Sequence, residues 1–298
     1  MPVTLALIPP EIIEQVLVFL DPLDVASFSQ TCKSFHDLVY PSQDNHLWRT
    51  LYLAQPFDDP RRALLTSHLD DRPPSDTESI DWKRSLQAIV RARTVLLDPS
   101  KCRPGEREGI LRTLIKMLRD ATPATSHSGY ALSENIVWLV AMLRDGAFLT
   151  HHTPGSTEAE VQMRAYLLVH LGLTRCDTIK ANKAAALAFV YDLRHYGYDS
   201  SFGPYMSDGS GRINWVHLHA IHRAIAMHLV DLREDEPFVF PLIPISMPYC
   251  QSVILPGVDL AKERDWAGVE GLWHCSFSFI DHRDLIRTCF PPLFLLAA

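Results

Sequence analysis

Histidine is the residue type in this chain with the clearest potential for chemistry. Of the 14 histidines, His217, His219, His222 and His228 lie close together in one stretch. Neutral imidazoles a helical turn apart are a common way for a helix to present nitrogen ligands to zinc. His219 and His222 share a face at i,i+3, but the position four beyond His219 is Arg223, whose fixed charge opposes a bound cation. His217 points elsewhere, and the set lacks the His-Glu-x-x-His order of a metalloprotease. His151-His152 runs into Thr153-Pro154-Gly155, a loop sequence. The residues therefore lead us to expect no metal and no other cofactor.

The remaining reactive types are no better organised. Ser207-Asp208-Gly209-Ser210-Gly211 is a flexible turn without the lysine of a phosphate-binding loop. No Gly-x-Ser-x-Gly elbow is present, so no catalytic residue is assigned. Asp281, Arg283 and Asp284 form a local ionic set that turn and capping chemistry explains. Trp266 and Trp273, beside Gly268 and Gly271, have two readings, the lining of a ligand groove or core packing at a strand entry. The six cysteines, at 32, 102, 176, 250, 275 and 289, include no CxxC pair. Zinc-ribbon and thioredoxin-type chemistry are excluded on that ground, and free thiols in a reducing compartment are expected.

Composition narrows the class further. With 298 residues, 47% hydrophobic and 21% charged, the chain has the make-up of a globular protein with a substantial core. A formal charge of −7 argues against a general nucleic-acid binder, and Arg61-Arg62, Lys83-Arg84 and Arg91 with Arg93 are scattered, solvated pairs. No basic region precedes the first apolar residues, as a secretory signal requires. The closing FPPLFLLAA falls far short of the roughly 20 apolar residues that span a bilayer. We expect a cytosolic or nuclear protein with no membrane partner.

The elements that would position these groups are mostly helices. Pro10 suits a first helical turn and Glu11 its positive end. Ile12, Val16 and Leu20, or Ile13, Leu17 and Leu20, follow at helical spacing. Asp21-Pro22 breaks that helix, and Asp24 is placed to cap the next, which carries Val25, Phe28 and Cys32 before Phe35 and Leu38. Too much of this short stretch is apolar for burial against itself, which implies a partner surface. HLDDRPPSDTES (68–79) reads as a linker. Helices are then expected from Asp81 (Trp82, Leu86, Ile89, Val90, Leu97), beyond Gly105 (Ile110, Leu111, Leu114, Ile115, Leu118) and up to Gly146 (Leu132, Ile136, Leu139, Val140, Leu143). Thr157 with Glu160 suggests a capping box for a helix to Leu171. Ala184–Tyr196 and Arg212–Leu232 follow, the latter with Leu218, Ile221, Ile225 and Leu229 in line. From Pro237 onward prolines replace helical periodicity, and Trp273–Ile280 alternates as a half-buried strand.

The segment 7–51 closely resembles the F-box motif. Its Leu-Pro pair is Ile8-Pro9 here, its helix start Glu11-Ile12-Ile13, and its break Leu20-Asp21-Pro22. The Val-Cys-basic-x-Trp stretch reads Thr31-Cys32-Lys33-Ser34-Phe35, and the late Leu-Trp is Leu47-Trp48. Ile8, Thr31 and Phe35 depart from the pattern, and Thr31 brings a hydroxyl that needs a partner. A second stretch, 265–286, resembles a segment of fungal F-box proteins in which Asp-x-Arg-Asp-Leu, here Asp281–Leu285, leads into an antiparallel C-terminal β-region. About twelve residues follow Ile286, so this is either a naturally short member or a truncated gene model.

The resemblance implies a non-catalytic adaptor of a Skp1–cullin–F-box (SCF) ubiquitin ligase. It would dock Skp1, and through it cullin and RING subunits, while the rest of the chain recruits an unknown protein target. On that resemblance Pro9, Ile12, Val16, Leu20, Cys32, Phe35 and Trp48 are the docking candidates, some of which must instead hold the helices together. A Skp1-binding scaffold outside a ligase, or a hydrolase whose first helices only mimic the motif, are the other readings. The expected architecture is mainly α (α+β): a three-helix F-box at 1–53, a linker at 54–80, a helical region at 81–236, and a Pro-rich and β segment at 237–298.

Overall fold

The computed structural model describes residues 8–40, 46–63, 80–125, 132–151, 155–254, 262, 264, 265 and 270. The chain is mainly α-helical and divides into two compact units. One comprises residues 1–122 with 133–138, and the other residues 123–132 with 139–298.

The first unit opens with α1 (Pro10–Leu17), α2 (Pro22–Ser29), α3 (Lys33–Val39) and α4 (His46–Leu53). That is one helical segment more than the three expected. The second predicted helix is interrupted at Cys32, whose backbone is fully extended, while the Thr31 hydroxyl donates to the Phe28 carbonyl at 2.7 Å. Serine and threonine side chains that bond the backbone in this way compete with helix continuation. The cap of α2 is Asp21 rather than Asp24, because Pro22 occupies the first helical position and the Asp21 carboxylate accepts from the Leu23 N–H at 2.9 Å.

Two longer helices complete this unit, α5 (Trp82–Leu97), capped by Asp81, and α6 (Arg107–Arg119). Trp82, Leu86, Ile89, Ala92 and Val95 form the buried stripe of α5, and Leu97, expected on it, is 70% exposed at the helix end. Residues 54–63, expected as the start of a linker, are folded into the unit through Asp58. Its buried carboxylate accepts from the backbone N–H groups of Thr122 (2.9 Å) and Glu134 (3.1 Å) and from the Ser133 hydroxyl. Its own N–H donates to Asn135 Oδ1 at 3.1 Å, and Asn135 Nδ2 donates to the Met117 carbonyl. The clearest linker stretch, 68–79, lies outside the described residues.

Helix α7 (Glu134–Leu143) belongs to the first unit up to Trp138 and to the second from Leu139. The second unit adds α8 (Ala147–Thr150), α9 (Glu158–Leu171), α10 (Lys180–Tyr191) and α11 (Trp215–Leu229). Thr157 caps α9 by accepting from the Glu160 N–H at 3.1 Å, the forward half of the expected capping box, while the Glu160 carboxylate accepts from the Ser156 hydroxyl at 3.1 Å. Both α9 and α10 pack on α11, around a core of Leu173, Ala186, Ala226 and Met227. Leu218 and Ile221 of the expected apolar line are only half-buried, and Ile225 and Leu229 are exposed. Short β1 (Ala124–Thr125) and β2 (Val253–Ile254) pair in parallel. The predicted strand at 273–280, Trp266, Trp273 and the Asp281–Leu285 tail lie outside the described residues.

Candidate partner-docking surface

Helix α1 is short, and its two faces are both apolar. Ile13 and Leu17, four apart, point inward at 7% and 2% exposure. Ile12 and Val16, also four apart, are 47% and 56% exposed, and Phe19 just past the helix is 87% exposed. An isolated surface helix of a globular protein normally carries polar residues on its outer face. Here Glu11 and Gln15 only flank the outward apolar strip. Leu23, at the start of α2, is exposed as well.

The helices of this domain are fixed to the rest of the unit by polar and aromatic contacts. Asp21, which caps α2, also receives Arg93 of α5, whose Nη2 lies 2.9 Å from each carboxylate oxygen. The Arg93 guanidinium holds the Asp21 carboxyl below the usual carboxylate range. Lys83 of α5 donates to the Tyr40 carbonyl at 3.1 Å, with its ammonium 4.9 Å from the Tyr40 ring and 5.8 Å from that of Trp48. Tyr52 of α4 meets Trp82 edge-on at 5.3 Å. Burial raises the Tyr52 hydroxyl well above its ordinary range, which keeps it neutral.

The sequence-derived candidates separate into groups. Pro9, in extended backbone just before α1, is exposed together with Ile12, Val16 and Cys32, the residue preceding α3. Leu20 is half-buried, as is Phe35, which stacks on Phe28 at 4.2 Å. Trp48 is an interior residue: it is 6% exposed, and its indole N–H donates to the Val39 carbonyl at 2.9 Å. Its place is in holding α3 to α4. Phe19 and Leu23 were missed by the sequence reading, although Phe19 lies three beyond Val16 and so continues its face.

The histidines of α11 go to different surroundings. His217 is buried among the rings of Phe189, His195 and Tyr196, with centroids 4.9 to 5.8 Å away. His222 Nε2 lies 3.0 Å from the Ile245 carbonyl, His219 lines a cleft, and His228 is exposed. Arg223, four beyond His219, is paired with Asp177. Among the described residues no group of three or more His, Cys, Asp or Glu is placed to hold a metal, and no helix is long and apolar enough to cross a membrane.

Residues 5–54 match the F-box-like family model. No curated protein and no solved structure matches the chain. The matched span takes in α1 to α4, the outward apolar strip and the Asp21 cap, so these N-terminal residues form an F-box-like domain.

Proposed function

We propose that this chain is a substrate-receptor subunit of a Skp1–cullin–F-box ubiquitin ligase, docking Skp1 through α1 and its surroundings and recruiting a protein target with the remainder. The observation that carries the reading is the double apolar face of α1: Ile13 and Leu17 meet the needs of the fold, leaving Ile12, Val16 and Phe19 for a partner. Complete burial of a fully exposed side chain of this size contributes about 1.5–3 kcal/mol. Ile12 and Val16, at 47% and 56% exposure, have about half of that left to gain and Phe19 most of it, together a useful share of a docking energy. Pro9 and Cys32 are the further exposed candidates for that surface. Ubiquitin transfer belongs to other subunits, so the chain needs no nucleophile of its own.

The test is affinity capture of the full chain and of its Pro9→Ala, Ile12→Ala double variant, read by mass spectrometry. The proposal expects Skp1, a cullin and a RING subunit with the native chain and their joint loss with the variant. Undiminished Skp1 with the variant would overturn the docking assignment. Skp1 without cullin or RING would replace the ligase by a scaffold.

A further inference from the structure

In the second unit, α9, α11 and the turn Arg175–Thr178 line a cleft of about 310 Å³. That volume lies at the lower end of the range for small-molecule sites, roughly 300–1,000 Å³. Its walls combine two arginines, Arg164 and Arg223, with one carboxylate, Asp177. The Asp177 side chain is only 3% exposed and is fully engaged. Its Oδ2 accepts from the Thr174 N–H at 2.7 Å and the Thr174 hydroxyl at 2.9 Å, and its Oδ1 from Arg223 Nε at 2.5 Å.

That arrangement fixes the Arg223 guanidinium by one edge. Among the described residues Arg223 donates only from Nε, so its terminal nitrogens keep their N–H groups for another acceptor. A guanidinium oriented in this way offers the planar, two-pronged donor geometry that carboxylates match. His219 stands four residues before Arg223 on the same wall. Burial, with the nearby Arg223 charge, pushes its pKa down to about 3, so it faces the cleft as a neutral imidazole able to donate one further hydrogen bond. The opposite character comes from Val161, Leu168 and Val216, which give the cleft an aliphatic side.

We propose that this cleft binds a carboxylate carrying a small aliphatic body, with Arg223 as the main anchor and His219 as an uncharged second donor. Two sources share this chemistry: a free short-chain carboxylic acid and the C-terminal residue of a peptide. The peptide form rests on the target-recruitment reading above. The cleft chemistry itself does not, since all its residues lie in the second unit.

The test is calorimetric titration of the full chain, without Skp1, with Gly-Gly-Val as free acid, with the same tripeptide as its C-terminal amide, and with isobutyrate. The expected result is saturable binding of the free acid and at least about tenfold weaker binding of the amide. Arg223→Lys keeps a cation beside Asp177 but loses the fork, and is expected to weaken the acid about tenfold. Val216→Trp fills the aliphatic side and is expected to abolish binding at unchanged melting temperature. If that variant melts early, Arg223→Lys decides. Isobutyrate binding as tightly as the tripeptide identifies a small-molecule ligand; tripeptide binding alone identifies a peptide terminus. Equal binding of acid and amide, no saturation by about 5 mM acid, or native affinity in Arg223→Lys would overturn the proposal. Loss of Skp1 capture with carboxylate binding intact would remove the ligase reading alone.

Discussion

Arg93 and Asp21, 72 positions apart in sequence, are joined by hydrogen bonds of 2.9 Å to each carboxylate oxygen. The same carboxylate caps α2, so one side chain both starts a helix of the F-box-like domain and ties it to α5.

Asp21→Ala should therefore lose both roles, destabilising the first unit by about 1–2 kcal/mol, near the effect of a lost cap. Arg93→Met should lose less than about 1 kcal/mol, since the pair is partly solvated. The double variant should show less than the sum, measured by urea unfolding. The pH dependence has a fixed sign. The folded-state pKa of Asp21 is lowered, so its contribution is present above the unfolded value, about 3.8, and fades as pH falls through the lower folded value. The difference between native and Asp21→Asn should accordingly shrink on acidification below about pH 4.

Asp58 is predicted to be the most sensitive polar residue of the first unit. Asp58→Ala removes one acceptor from each of the N–H groups of Thr122 and Glu134 and from the Ser133 hydroxyl. Of these bonds only that of the Ser133 hydroxyl is buried, and at about 1–3 kcal/mol for a buried bond lost a destabilisation in that range is expected, read by chemical denaturation.

Trp48 and Ile12 should respond in opposite ways. Trp48→Ala removes a buried indole and its hydrogen bond to Val39, with an expected loss of about 3–5 kcal/mol. Ile12→Asp alters an exposed side chain and should change stability by no more than about 0.5 kcal/mol. Thermal melting of the two variants separates internal packing from the docking strip.

Gly146 tests the second unit. Its φ of +70° disfavours any side chain, and a Cβ there would lie 2.6 Å from Thr174 Cβ. Gly146→Ala should destabilise by more than about 1 kcal/mol, visible in hydrogen exchange of α8 and of the residues around Thr174.

How much of this was legible in the sequence varied with the range of the interaction responsible. The Thr157 cap, Pro10 at a helix start and the stripe from Trp82 to Ile89 depend on neighbours within a turn or two, and they were readable. The buried face of α11 was not. The line Leu218, Ile221, Ile225 and Leu229 has ideal spacing, yet the helix buries Ala224, Ala226 and Met227 instead. Small residues let helix backbones approach closely, and buried Ala186 of α10 belongs to the same core; an apolar stripe records spacing but not which neighbour is near. Asp58 shows the same limit in polar form, since its partners lie 64 to 77 positions away and nothing around it in sequence announces them. For the proposed docking surface, the motif supplied the residue types, while only the fold separated exposed Ile12 and Val16 from interior Trp48.

The most direct measurement is titration of Skp1 against the full chain and its Ile12→Asp, Val16→Asp double variant, with melting temperatures recorded for both. The account predicts micromolar or tighter binding by the native chain, at least about a hundredfold loss in the double variant, and nearly equal melting temperatures. Equal affinity of the two proteins for Skp1, or no binding by the native chain, would contradict it.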